Sequence, residues 1–373
     1  MANKLIALTA AILILLSAFA VPALAAEPPK AQEKGLDICF LATADVNDGS
    51  FVEDCHEGVL QFLHNHPDCK VTDVVEHDFE KLPARLEELV KKHDVFVLPG
   101  YVFTEIGEIV LKNPDVYFIV ADTIVTDTKG NPVSAPNLYT MRFREEEGGF
   151  LVGVAAALET RTGKVAVVNG YPHPSNLDYQ YGFNAGVNYA NTHFGTKAES
   201  VALPAYAGID ESGKNIGGNY IGSYIDRAKG KEIGKALIDA GADILFVAAG
   251  DGGNGTFEAA LEADKVRLIG VDRDQYEDGQ KGSENIMLTS TRKIIDRNVC
   301  RQLTDIYYGF FEGQDAVLDA GTDSTGYIHT EGRHSLSKGT LEKLEDCYEL
   351  LKDGVIMPPS TVNGHTAEKF PGL

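Results

Sequence analysis

The sequence predicts an α/β protein of two doubly wound lobes, each a parallel sheet with helices on both faces. Three observations carry that expectation. Short runs rich in Val, Ile and Phe alternate with longer helical stretches, the pattern of buried parallel strands joined by crossover helices. The runs are too many for one comfortable sheet, and at roughly 100–200 residues per domain the 373 residues have room for two. A polar turn, Thr160-Arg161-Thr162-Gly163, breaks the series near its middle.

In chain order, residues 1–25 read as an export signal. Lys4 supplies the positive charge, Leu5 to Phe19 is an apolar run, and Ala23-Leu24-Ala25 is a small-x-small cleavage site. Residues 26–35 read as a polar N-terminal tether. The expected strands are Asp37–Ala42, Lys70–Glu76, Val95–Leu98, Tyr117–Val120, Lys164–Val168, Glu199–Ala202, Ile244–Ala248, Arg267–Val271 and Ile286–Leu288. Expected helices include Phe51–His64, Leu82–Lys92, Glu145–Glu159, Asn176–Ala190, Lys229–Ala240, Gly255–Ala263, Thr291–Phe311 and Thr340–Lys352. Residues 205–222 read as a Gly-rich loop insertion. The N-terminal lobe is expected to hold 36–162 plus 286–312, the C-terminal lobe 163–285 plus 313–355, and 356–373 a tail.

Composition narrows the function. With 44% hydrophobic and 24% charged residues the chain is an ordinary globular one. Its 33 Lys and Arg stand against 55 Asp and Glu, a formal charge of −22. That balance argues against nucleic acid and against anionic lipid as partners. No stretch after the signal is apolar over the length a membrane span needs. The mature protein is expected in the periplasm, with no stable membrane insertion and no lipid-attachment Cys at its start. Its five Cys permit at most two bridges and leave one free thiol. Cys55 and Cys69, expected at opposite ends of one helix, lie too far apart to pair.

In open parallel sheets ligands bind beyond the C-terminal strand ends. The loops there are Ala44-Asp45-Val46-Asn47-Asp48-Gly49-Ser50-Phe51, Pro99-Gly100-Tyr101, Ala121-Asp122-Thr123, Asn169-Gly170-Tyr171, Gly250 to Gly255 and Asp272-Arg273-Asp274-Gln275. They are rich in acceptors, flat rings and glycines, which suits a neutral polyhydroxyl or nucleoside-like ligand better than a phosphate. Gly250-x-Gly252-x-x-Gly255 fits the dinucleotide fingerprint formally, yet it lies deep in the second half of an exported chain; a Gly-rich strand-to-helix turn is its plainer meaning. Asp45-Val46-Asn47-Asp48-Gly49 begins like a calcium loop, but Ser50 stands where that loop needs Gly. Its plainer meaning is a cap for the following helix, with Ser50 or Asp48 accepting from free N–H groups. His64-Asn65-His66-Pro67-Asp68-Cys69 reads as a helix end rather than a metal site. No metal or cofactor is expected. No serine-hydrolase elbow, zinc-protease or P-loop motif occurs.

Several segments together carry a resemblance. Glu145-Glu146-Glu147-Gly148-Gly149-Phe150 is followed by Thr162-Gly163-Lys164-Val165-Ala166-Val167-Val168 and Tyr181-Gly182-Phe183-Asn184-Ala185-Gly186. Ser223-Tyr224-Ile225-Asp226-Arg227-Ala228-Lys229-Gly230, Gly270-Val271-Asp272-Arg273-Asp274-Gln275 and Thr289-Ser290-Thr291-Arg292-Lys293 come later. In this order, over roughly residues 37–355, the series resembles the basic membrane protein family of ABC-transporter substrate-binding proteins, whose best-understood members bind purine nucleosides.

The resemblance implies a type I periplasmic-binding-protein fold, with two lobes on a three-stranded hinge closing over a ligand. It implies a base sandwiched by Phe51 and Tyr224, a position where the family usually has Phe. It places Asp122 on the base edge, Asp272 and Lys293 on the ribose, and a backbone contact at Gly250. The family's early Asp maps loosely onto Asp45, and Asn47 and Ser50 of the same loop complete the candidate ligand set. The implied partners are a small molecule, a purine nucleoside, and an ABC permease, with no catalysis. Two alternatives stand beside this one. An exported nucleoside-cleaving hydrolase would use clustered Asp45, Asp48, Asp122 and Asp272, and a binding protein of the same fold would take a sugar or another heterocycle.

Overall fold

The computed structural model describes residues 35–210 and 212–373. The expected signal and all of the tether but Gly35 lie outside the described residues. In chain order the strands are β1 (Asp37–Ala42), β2 (Lys70–Val75), β3 (Val95–Pro99), β4 (Tyr117–Ala121), β5 (Leu138–Phe143), β6 (Lys164–Asn169), β7 (Glu199–Ser200), β8 (Gly208–Ile209) and β9 (Asn215–Gly217). There follow β10 (Ile244–Ala248), β11 (Arg267–Gly270), β12 (Gln280–Lys281), β13 (Glu284–Asn285), β14 (Met287–Lys293), β15 (Gln314–Leu318) and β16 (Thr325–Tyr327). The α-helices are α1 (Phe51–Asn65), α2 (Leu82–Leu89), α3 (Gly107–Lys112), α4 (Glu145–Glu159), α5 (Pro174–His193), α6 (Arg227–Asp239), α7 (Gly250–Glu262), α8 (Ile295–Tyr308) and α9 (Lys338–Lys352).

Two six-stranded sheets share one plan, β15-β5-β4-β3-β1-β2 and β16-β14-β11-β10-β6-β7. The first is parallel throughout. The second is parallel except for the β14–β16 pair. Alternating side chains point to opposite faces of a strand, and the cores follow that period. In the first lobe Phe40, Val97 and Ile119 pack with Val59 of α1 and Val299 of α8. Their neighbours Leu41, Phe96, Leu98 and Phe118 pack on the other face with Leu86 of α2 and Val110 of α3. The second lobe repeats this, with Val167 and Phe246 toward α4 and α5 and Val168 and Leu245 toward α6 and α7.

The chain crosses between the lobes three times, and the crossings differ from those expected. The first comes at Arg144, between β5 and α4, because α4 buries Phe150, Leu151 and Val154 in the second lobe. Thr160–Gly163 is instead a surface turn inside that lobe, held by Asp243, whose carboxylate accepts from the Thr160 hydroxyl and, at 2.7 Å, from the Arg161 N–H. The second crossing follows Lys293: β14 lies in the second sheet, while α8 packs on α1. The third follows β15, which returns to the first sheet before β16 and α9 rejoin the second. The expected first-lobe block 286–312 and second-lobe block 313–355 are each therefore divided between lobes.

The missed strands β5 and β15 mix polar with apolar residues where they reach the hinge. Arg142 Nη2 donates to Asp315 Oδ2 at 2.6 Å, and the Thr140 hydroxyl donates to Asp315 Oδ1 at 2.8 Å. The insertion 205–222 contains the β8–β9 hairpin. The C-terminal residues 356–373 lie against the second lobe, with Phe370 in its core and the Thr361 N–H on Asp178. All five Cys are free thiols. Among the described residues no helix is long and apolar enough to cross a membrane.

Candidate functional site

The strand ends of the two lobes face each other across a pocket holding about 800 Å³ of atom-free space, part of it continuous with solvent. Phe51, Asp122, Tyr224, Gly250, Asp272 and Lys293 all line it. Each wall has a local cause. Phe51 opens α1, whose free N–H groups are satisfied by Asp48: its carboxylate accepts from Ser50, Val52 and Glu53 at 2.9, 3.4 and 3.0 Å. Asp48 is therefore the cap, and Ser50 makes no side-chain cap bond. Burial raises the Asp48 pKa to about 6, against the pull of those three N–H groups. The Phe51 ring faces Gly100, where a Cβ would stand 3.7 Å from Cε1.

On the second lobe, Tyr224 lies over Gly170, whose missing Cβ would sit 2.3 Å from the ring; only glycine admits the ring there. The Tyr224 hydroxyl donates to Asn176 Oδ1 at 2.7 Å, and Asn176 Nδ2 donates to the Ala248 carbonyl at 2.8 Å. This tie holds the ring edge against α5 and points the hydroxyl at protein. Gly250, at φ +53, begins α7 and sits against the Tyr224 backbone. The glycines of the 250–255 motif serve packing: a Cβ on Gly255 would meet the Arg227 carbonyl at 1.8 Å.

The pocket's charged side is built around Lys293, at the end of β14. Its Nζ lies 2.6 Å from Asp122 Oδ2, 2.8 Å from Glu145 Oε1 and 3.7 Å from Asp272 Oδ1. Lys293, Glu145 and Asp272 are buried, and the Asp122 side chain is 9% exposed. Burial works against the ammonium, but Asp122, Glu145 and Asp272 outweigh it and hold its pKa well above the ordinary lysine range. Asp272 also accepts from the Tyr179 hydroxyl at 2.9 Å. Burial raises the Asp272 pKa, and nearby Asp122 adds to the rise while Lys293 opposes it. The second oxygen of Asp122, Oδ1, is buried and makes no hydrogen bond. A buried acceptor without a donor costs about 1–3 kcal/mol, so Asp122 presents an acceptor prepared for an incoming N–H or O–H.

The first loop departs from expectation. Asp45 and Asn47 are exposed, bond to each other (Asn47 N–H to Asp45 Oδ1, 2.9 Å), and do not line the pocket. Ser50 is buried outside the lining. The carboxylate cluster imagined for a hydrolase therefore loses Asp45. The pocket also takes residues that the sequence did not mark as ligand-binding. Asn176 and Tyr179 sit on a helix whose sequence gives no sign of an inward polar face. Glu145, which supports Lys293 from outside the lining, reads only as part of a triple-Glu marker. Tyr101 and His173 stack across the lobes with ring centroids 4.2 Å apart.

The comparisons with known proteins agree with this architecture. Residues 36–202 and 206–343 match the family model Bmp, ABC transporter substrate-binding protein PnrA-like. The CD4+ T-cell-stimulating antigen of Listeria innocua is 28% identical over 337 residues, spanning 85% of this chain and 86% of its own. The ABC transporter nucleoside-binding protein BmpA of Lactococcus lactis subsp. cremoris is 32% identical over 264 residues, 66% of each chain. Among solved structures, an ABC transporter solute-binding protein from Aeropyrum pernix K1 superposes with a TM-score of 0.74 at 19% identity, covering 88% of this chain and 94% of that one. It shares the fold. A family of binding proteins has no use for the hydrolase reading, and this chain belongs to the Bmp family of PnrA-like ABC transporter substrate-binding proteins.

Proposed function

We propose that this substrate-binding protein takes a purine nucleoside into the pocket between its lobes and delivers it, in the periplasm, to an ABC importer's permease. The observation that carries the reading is the unpaired Asp122 Oδ1 in a pocket lined by an aromatic ring from each lobe. A base stacked on Phe51 and Tyr224 gains roughly 1–3 kcal/mol per base by the measure of nucleic-acid proteins. Its N–H edge would donate to Asp122, and ribose hydroxyls would meet Asp272 and Lys293. The nucleoside-binding relative in Lactococcus supports the same ligand class. Because the ligand touches both lobes, it stabilises the closed arrangement over any open one.

Native mass spectrometry of protein purified without refolding, followed by calorimetry with inosine, guanosine, adenosine and ribose, tests the proposal. Binding of a nucleoside with ribose at least about a hundredfold weaker supports it. Tight binding of ribose or another bare sugar, with no response to nucleosides, rejects it.

A further inference from the structure

Lys293 is one ammonium facing three carboxylates, and they do not come from one lobe. Glu145 is the first residue of α4 and Asp272 follows β11, both in the second lobe with Lys293. Asp122 follows β4 in the first lobe. Lobe closure therefore adds a third negative charge to a buried site that already holds two. Beyond Glu145 the charge continues to accumulate. Carboxylate oxygens of Glu145, Glu146 and Asp178 lie within 4.8 Å of one another, all buried. Of these, Asp178 accepts from the Thr361 N–H and hydroxyl, and Glu146 has Arg144 at 3.8 Å. The groups facing Glu145 are thus Lys293 from β14, Asp122 after β4, Asp178 and Tyr179 from α5, and Glu146 beside it, while Asp272 after β11 shares its ammonium at 3.7 Å. One cation cannot balance that many anions at low dielectric, and a buried carboxyl in such company takes a proton instead.

We propose that Glu145 is a positioning residue that holds Lys293 as a neutral acid in the closed pocket, so that closure on ligand takes up a proton. Asp122 and Asp272 are left to meet the ligand, and Glu145 contributes its carbonyl oxygen to the ammonium at 2.8 Å. Burial, with Asp122 adding to it against the pull of Lys293, pushes the Glu145 pKa up to about 8. The acid has a way to exchange with solvent. A groove lined by Glu145, Glu146 and Asp178 opens at the hinge beside Arg142 and Arg144.

The sign follows from linkage. A carboxyl whose pKa is higher in the closed state favours closure at low pH and opposes it as pH rises toward that raised value. The binding part of the test rests on the nucleoside reading; a second readout does not. Inosine affinity of the full chain is measured by calorimetry between about pH 6 and pH 8, for wild type, Glu145→Gln and Glu145→Ala. Expected is a loss of about threefold or more in wild type over that range, and a nearly flat profile in Glu145→Gln. Glu145→Ala binds weakly throughout, because Lys293 loses its holder. In parallel, the Glu145 carboxyl resonance, assigned by its absence from ¹³C-glutamate spectra of Glu145→Gln, is titrated. A midpoint about two units or more above the ordinary value of about 4.3 supports the proposal. An ordinary midpoint overturns it, as does a Glu145→Gln pH profile as steep as that of wild type. Should no nucleoside bind, the ligand assignment falls and the resonance alone decides the role of Glu145.

Discussion

Asp122 and Asp272 occupy equivalent places in the two lobes. Each follows the third strand of its six-stranded sheet, with left-handed backbone at φ +63 and +66, and both approach the ammonium of Lys293. Left-handed backbone is disfavoured for residues with a Cβ, Asp and Asn least so. Such conformations persist where the surroundings hold them, and they cluster at functional sites. Here they turn both carboxylates out of their sheets and into the pocket.

The first prediction uses that backbone. Asp122→Asn keeps a residue type that tolerates the left-handed conformation and removes the charge. It should weaken inosine binding at least about tenfold, or 1.4 kcal/mol. Asp122→Ala should bind as poorly and also unfold more easily, by about 1 kcal/mol, since it adds backbone strain. Calorimetry and urea unfolding of the two variants separate the effects. Unchanged affinity in both would remove Asp122 from the site.

Phe51 is the second case. Its ring lines the pocket and is half-buried, so truncation should leave the first lobe folded. Phe51→Ala should lose about 1–3 kcal/mol of nucleoside binding, roughly 5- to 150-fold. Phe51→Tyr should retain most of it. If calorimetry shows Phe51→Ala binding as well as wild type, no base stacks on that ring.

Much of this was legible in residues, and the failures have physical causes. The apolar strands β1, β3, β4, β6, β10 and β11 announce themselves because both faces are buried, so no polar residue interrupts them. Helix α4 was bounded as Glu145–Glu159 by sequence and by structure alike. The hinge was not readable. β5 and β15 carry Arg142 and Asp315 because they pair with each other at a sheet edge, and β14 runs on as Thr289-Ser290-Thr291-Arg292-Lys293 because it leads into the pocket. Polar residues that are satisfied by tertiary partners look like loop in one dimension. The same holds for Asn176 and Tyr179, whose partners, Tyr224 and Asp272, lie 48 and 93 residues away. Loop position alone misled at Asp45 and Asn47, where two polar side chains simply bond to each other at the surface.

A third prediction concerns pH and stability. Asp54, on α1, is pushed up to about 8 by burial, with Asp296 and Asp272 adding to the rise and Arg273 and Arg292 opposing it. Its Oδ2 is buried without a hydrogen bond. A carboxyl with a folded pKa above its unfolded one costs nothing below the unfolded value, and the cost of ionising it grows as pH climbs toward the folded value. Asp54→Asn should therefore stabilise the protein by at least about 1 kcal/mol near pH 8, with the gain shrinking toward about pH 4. Urea unfolding of both proteins across that range measures it. A gain independent of pH would show that Asp54 is ionised in the fold like an ordinary surface carboxylate.

The last prediction concerns how long the lobes stay together. Glu53 of the first lobe pairs with Arg273 of the second, beside Gln275 Nε2, which donates to the Gly49 carbonyl at 3.0 Å. These contacts join the lobes beside Asp48, whose carbonyl Asn254 also reaches at 3.4 Å. The Glu53–Arg273 pair is partly solvated, with side chains 23% and 29% exposed, so it adds little to the stability of either lobe. It exists only while the lobes are shut, and its removal should appear in the rate at which a bound ligand escapes. Arg273→Gln should speed nucleoside release about three- to tenfold in stopped-flow experiments, with association nearly unchanged. Unliganded stability should move by less than about 0.5 kcal/mol. Release at the wild-type rate would mean that the ligand's own contacts, centred on Lys293, hold the lobes closed without help from the rim.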